Sequence, residues 1–122
     1  MTEKQLQILN RNVMIELIGN EPDMIRQFEI DFLKQAKVSL RNIVTMYNDS
    51  RILEIKEEAH FLKTSAKAVG AEQTSYLLQA LEQSGLDQDK AKCKDLILRV
   101  KEALQRVHGV IVNDKTISPS MP

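Results

Sequence analysis

One histidine in this chain sits where its ring could do chemistry. His60 lies in the run Glu58-Ala59-His60-Phe61-Leu62-Lys63-Thr64-Ser65-Ala66-Lys67-Ala68-Val69-Gly70-Ala71. Placed on a helix at ~100° per residue, Ile52, Ile55, Ala59, Leu62, Ala66 and Val69 form one apolar stripe at spacings of three and four. His60 then falls roughly 130° from the centre of that stripe, so its imidazole faces water. Thr64 is one turn further along the same exposed side. Lys56, Lys63 and Lys67 flank the histidine at minus four, plus three and plus seven, within reach on a helical surface. An imidazole, with an ordinary pKa of ~6.5, is a nucleophile near neutral pH. Ammonium groups alongside would neutralise an anionic group placed on it. The surrounding sequence supplies no general base, no oxyanion hole and no phosphate-binding glycine loop. Such a site can accept and release a group but is not equipped to activate a nucleotide or hydrolyse a substrate.

The elements that must position this histidine read as helices throughout. Leu, Ile, Ala, Gln, Glu and Lys dominate, there are four Gly and three Pro, and aromatic residues make up 4% of the chain, so the core is aliphatic. Asn10 precedes a short helix over Arg11–Ile18, with Leu9 and Met14 spaced as a hydrophobic staple. Gly19-Asn20-Glu21-Pro22 stops it and starts the next, with Asn20 as N-cap. Asp23–Tyr47 carries Phe28, Phe32, Leu33, Ala36, Leu40, Ile43, Val44 and Tyr47 at helical spacing, and Asn48-Asp49-Ser50 is a turn. The histidine helix runs over Arg51–Val69 and ends at Gly70, a left-handed C-cap. A fourth covers Glu72–Gln83 and stops at Ser84-Gly85. Asp87 caps a fifth that reaches Val107, where Gly109 closes or interrupts it. The expected fold is all-α, an antiparallel four-helix bundle with a short additional N-terminal helix. Residues 1–112 form this one domain and 113–122 a flexible tail.

Composition removes several function classes. Lys+Arg and Asp+Glu both number 17, so the basic excess of a nucleic-acid binder is missing. No apolar run is long enough to span a bilayer. The N-terminus lacks the basic-then-apolar order of a signal peptide, and the lone Cys93 permits no intramolecular disulfide. A cytoplasmic domain is the plain expectation. The initial Met and polar tail point to a free-standing chain rather than a module of a hybrid kinase. His108, near the expected end of the last helix, suits a structural role at its negative pole. Two histidines so far apart, without cysteines at ligand spacing, suggest no metal site. Met14, Met24 and Met46 read as core or groove filling.

The run Ala59-His60-Phe61-Leu62-Lys63-Thr64-Ser65-Ala66, then Val69-Gly70-Ala71 and the leucine-rich helix ending Ala80-Leu81-Glu82, resembles the histidine-containing phosphotransfer (HPt) domain family. Ile18-Gly19-Asn20-Glu21-Pro22-Asp23 and Phe32 are similar to its first half, so the resemblance spans about residues 9–107. It implies a phosphorelay carrier: a receiver-domain aspartyl phosphate passes its phosphoryl group to the histidine, and a second receiver removes it. Carried over, His60 is the phospho-acceptor through Nε2, Lys63 sits beside the phosphoryl oxygens, and Ser65 lies further round the turn. Phe61, off the core stripe, either belongs to an apolar docking patch for the receiver or packs against the edge of a neighbouring helix, and Lys56, Thr64 and Lys67 are the other partner-binding candidates. The implied partners are response-regulator receiver domains and a hybrid sensor histidine kinase. The implied chain is a monomer without autonomous kinase activity that binds no cofactor, the Mg²⁺ for transfer coming from the receiver's acidic pocket. One position departs from the family: the residue after Lys63, commonly Gly, is Thr64, which bears on how closely a receiver approaches.

Two other classes compete. The dimerisation domain of a histidine kinase also displays a helical histidine, but usually beside an acidic residue, and it needs two chains for four helices; here Phe61 follows His60 and no ATP-binding domain follows. A helical adaptor that binds receivers without phosphotransfer would result if Thr64 blocked the site.

Overall fold

The computed structural model describes residues 5–113. Five helices follow one another: α1 (Asn12–Ile18), α2 (Pro22–Asn48), α3 (Ile52–Val69), α4 (Glu72–Leu86) and α5 (Lys90–Val112). There is no strand among the described residues. The long helices α2 to α5 form an antiparallel ring in which α2 packs on α3 and α5, and α4 on α3 and α5, while α1 leans on α3. The α3–α4 groove therefore lies across the bundle from the α2–α5 groove. The all-α bundle with an extra N-terminal helix is the fold expected from the sequence.

Each long helix contributes one stripe to the core. On α3 the buried residues include Ile52, Ile55, Ala59, Leu62, Ala66 and Val69, the stripe read from the sequence. On α2 the buried set is Ile25, Glu29, Phe32, Ala36, Ser39 and Ile43. Phe28 and Val44, expected at helical spacing, lie off that stripe and are exposed. The stripe instead passes through two polar residues. Glu29 is fully buried because Arg11 meets its carboxylate with two bonds, Nε to Oε2 at 2.8 Å and Nη2 to Oε1 at 3.1 Å. This pair fastens the chain just before α1 onto α2.

Several helix ends differ from expectation. Asn10 does not stand at the N-cap of α1, which Arg11 occupies, although its Oδ1 accepts from Asn12 N–H at 3.2 Å. Glu21, not Asn20, precedes α2, because Pro22 at the first position has the required φ built in and no N–H to satisfy. Asp89, not Asp87, caps α5 by accepting from Lys92 N–H at 3.1 Å. Ser84-Gly85 does not end α4, which continues to Leu86. Gly85 serves packing: a Cβ there would come within 3.0 Å of Lys56 N and 3.3 Å of Ile52 O. Gly109 neither closes nor interrupts α5, and His108 therefore lies inside that helix, exposed, rather than at its C-terminus.

Gly70 does end α3, at φ +85°, and its N–H bonds Lys67 O. Its carbonyl also accepts from Asn10 N–H at 2.7 Å, drawing the N-terminal segment across the α3–α4 turn. Glu72 completes that attachment, accepting from Gln7 N–H and Asn10 Nδ2, each at 2.9 Å. The expected tail begins at Asn113, the last described residue; its remainder, 114–122, lies outside the described residues.

Candidate functional site

α3 carries His60 near its middle, one position beyond the buried Ala59, so the core stripe turns the imidazole outward. The His60 side chain is 60% exposed. Antiparallel α4 brings Glu82 to the same level: His60 and Glu82 are equally far in sequence from Ala71, at the turn. Glu82 Oε2 stands 3.2 Å from His60 Nδ1. The same pairing sets Lys63 opposite Gln79, and Lys63 Nζ donates to Gln79 Oε1 at 2.7 Å while lying 2.8 Å from Glu82 Oε1.

These contacts give each group a state. Burial alone would raise the pKa of Glu82, but the hydrogen bond and charge of Lys63, followed by those of His60, outweigh it and hold the carboxyl below its ordinary value. An ionised carboxylate only accepts hydrogen bonds, so Nδ1–H of His60 is the donor. In the neutral ring the lone pair then belongs to Nε2, on a side chain that is mostly exposed. An exposed nucleophile with its opposite nitrogen tied down is equipped for group transfer.

The sequence-derived residues are not all brought together. Lys63 corrects an expectation: it is buried at 8% exposure and committed to Glu82 and Gln79, not displayed on the open face. Being only three residues from His60, it still turns toward α4, whose carboxylate captures it. Lys56, half-buried, lines a hollow of about 430 Å³ with Glu57, His60, Glu82 and Leu86. Phe61, next to His60 in the chain, is 57% exposed. Thr64 is exposed, and its Oγ1 donates to His60 O at 3.1 Å, tying the hydroxyl to its own helix. Lys67 is separate: it lines another groove, with Leu6, Glu72 and Tyr76, near the α3–α4 turn. Ser65 faces α2 beside Phe28, Phe32 and Gln35.

Sequence reasoning missed Glu82 and Gln79 as members of the site. The signal was present, because residues equidistant from a tight helical turn meet across an antiparallel pair. Elsewhere, Cys93 is buried and burial, then Asp89, push its thiol up, the state of an inert cysteine. Among the described residues no cluster of three or more His, Cys, Asp or Glu is arranged to hold a metal, and no helix is long and apolar enough to cross a membrane.

A family model for the Hpt domain matches residues 24–109, from the first turn of α2 to the last turns of α5. The chain belongs to the Hpt domain family. Hpt domains are phosphocarriers of two-component signalling, not kinases, and work with receiver domains and kinases in phosphorelays. No curated protein and no solved structure matched the chain. The match places both the His60 helix and Glu82 inside the Hpt domain, while α1 and the segment before it lie outside the matched range.

Proposed function

We propose that this Hpt domain is a histidine phosphocarrier, accepting a phosphoryl group from a receiver-domain aspartyl phosphate on His60 and passing it to a second receiver. The observation that carries the reading is the imidazole of His60, 60% exposed, with Nδ1 held 3.2 Å from Glu82. In transfer, the Nε2 lone pair attacks phosphorus, the N–P bond forms, and the P–O bond to the receiver aspartate breaks. The aspartate leaves as a carboxylate. Nδ1 keeps its proton, and Glu82 faces the positive charge that the ring gains. The second receiver reverses these steps, its aspartate oxygen replacing Nε2 at phosphorus.

Phosphoryl transfer depends on in-line placement and neutralisation of the phosphoryl oxygens. This chain binds no cofactor under the proposal; Mg²⁺ comes with the receiver's acidic pocket. Lys56, at the edge of the hollow beside His60, is the ammonium best placed to meet the phosphoryl oxygens. Lys63 acts through Glu82. Phe61 offers the apolar surface for docking, Thr64 sets how closely a receiver approaches, and Lys67 contacts a partner only at the edge of the footprint. The phosphorelay partners are response-regulator receivers and a hybrid sensor histidine kinase, and the setting is the cytoplasm in which they signal.

Incubation with a phosphorylated receiver tests this directly. Label should appear on the chain, survive base, be lost in acid, and be absent from His60→Gln. A folded chain that binds receivers yet takes no label from any of them would instead establish an adaptor.

A further inference from the structure

The α2–α5 face, across the bundle from His60, holds a groove that nothing above uses. Its volume is about 450 Å³, and its floor is Leu33, Ala36, Leu40 and Leu104. Lys37, Leu40 and Lys101 also line a second hollow, of about 330 Å³, which extends past Arg41 to Val44. From Leu33 to Val44 the joined groove runs roughly 16 Å along α2, at ~1.5 Å per residue. That is about three helical turns.

The charges are arranged in two rails. Lys37 and Arg41 stand on the α2 side and Lys101 on the α5 side, where His108 adds a polar ring. No acidic residue lines either hollow. Lys37, Arg41 and Lys101 make no ion pair among the described residues. The chain as a whole is neutral, so this is a local concentration of unpaired cations around an apolar floor.

We propose that this groove docks an acidic amphipathic helix of another protein. An apolar ridge at i, i+3, i+4 and i+7 would lie on the leucine floor, and carboxylates on both flanks would meet the two cationic rails. A second copy of the chain fits poorly, because symmetric docking sets the same cations against each other. Residues 114–122 carry one Asp and one Lys, which gives no complementary charge. No Phe, Tyr or Trp lines the groove to form a stacking platform for nucleic-acid bases. The proposal stands independently of the chemistry at His60.

The test uses the full ¹⁵N-labelled chain and a synthetic helical peptide of about 15 residues, long enough to fill the groove at ~1.5 Å per residue. Its apolar ridge is flanked by Glu, and a control peptide carries Lys in place of Glu. The Glu peptide should shift amides of α2 and α5 saturably and leave those around His60 unmoved. Lys37→Glu with Lys101→Glu, both on exposed positions, should weaken it by roughly tenfold or more and create binding of the Lys peptide. Circular dichroism confirms that the variant is folded. Equal binding of both peptides to the wild type, indifference to charge reversal, or no shift at millimolar peptide would overturn the proposal. So would saturable binding to vesicles of phosphatidylcholine and phosphatidylserine with no response to the peptide.

Discussion

The proton on Nδ1 decides which ring nitrogen of His60 can attack. A neutral imidazole in water divides between two tautomers, and only a partner that accepts from one nitrogen biases the choice. Glu82 is that partner, and Lys63 and Gln79 hold it in place. Glu82→Ala should therefore leave His60 exposed and chemically competent but free to adopt the other tautomer. With an exposed hydrogen bond contributing about 1 kcal/mol, the rate of label transfer from a phosphorylated receiver should fall by roughly fivefold. The ¹⁵N shifts of the ring should move away from the Nδ1–H form. A fall in rate with unchanged ring shifts would assign Glu82 to docking instead. Lys63→Met leaves the carboxylate with one partner fewer and should produce the same spectroscopic change in weaker form. The exposed His60 was legible from the stripe beside it, because burial on a helix follows periodicity. Glu82 and the capture of Lys63 do not show in a single-helix projection, since both depend on the register between α3 and α4; only counting outward from the turn at Ala71 reveals them.

At the level of elements, two glycines show how position decides the effect of a methyl group. Gly70 adopts φ +85°, and a Cβ there would collide with the Asn10 carbonyl. Gly70→Ala combines left-handed strain of about 1–2 kcal/mol with that collision. It should destabilise the chain by about 2 kcal/mol or more, read from the urea midpoint. Gly109 is helical and a Cβ added there meets nothing within 4 Å. Gly109→Ala should instead stabilise by about 0.5–1 kcal/mol, the ordinary helix-propensity gain. Equal losses in both variants would contradict this assignment. The sequence showed all five helices, because each has an apolar period and a break on either side. It misplaced ends where two nearby residues could serve: Asp87 and Asp89 are both competent caps, and only the path of the turn selects Asp89. It also read Ser84-Gly85 as a stop, whereas the close approach of α3 explains that glycine. Glu29 escaped notice as a core residue because a carboxylate is buried only when a distant cation, here Arg11, comes to it.

For the whole molecule, an ionised carboxylate helps hold the N-terminal segment, while the bundle is held by its core. Glu72 accepts from Asn10 and then from Gln7, and these bonds lower its pKa against a smaller opposing effect of burial. Its folded value is below the unfolded one, ~4.3, so the contribution is complete above that pH and is lost as pH falls through the folded value. The amide of Gln7 should thus titrate in acid below ~4.3, and Glu72→Gln should abolish that transition, measured by ¹H–¹⁵N shifts. The core itself makes a separate demand. Every long helix buries a stripe against neighbours from the same chain, from Ile25 on α2 to Ile111 on α5. A histidine-kinase dimerisation domain must borrow two helices from a second chain to do this, whereas here α2 to α5 close the ring alone. The expected species in solution is therefore a monomer of 13.9 kDa. Light scattering across a hundredfold dilution should give that mass throughout, with no change in urea midpoint. A mass twice as large, together with a midpoint that drops on dilution, would mean that the ring in solution is built from two chains and that His60 belongs to a different architecture.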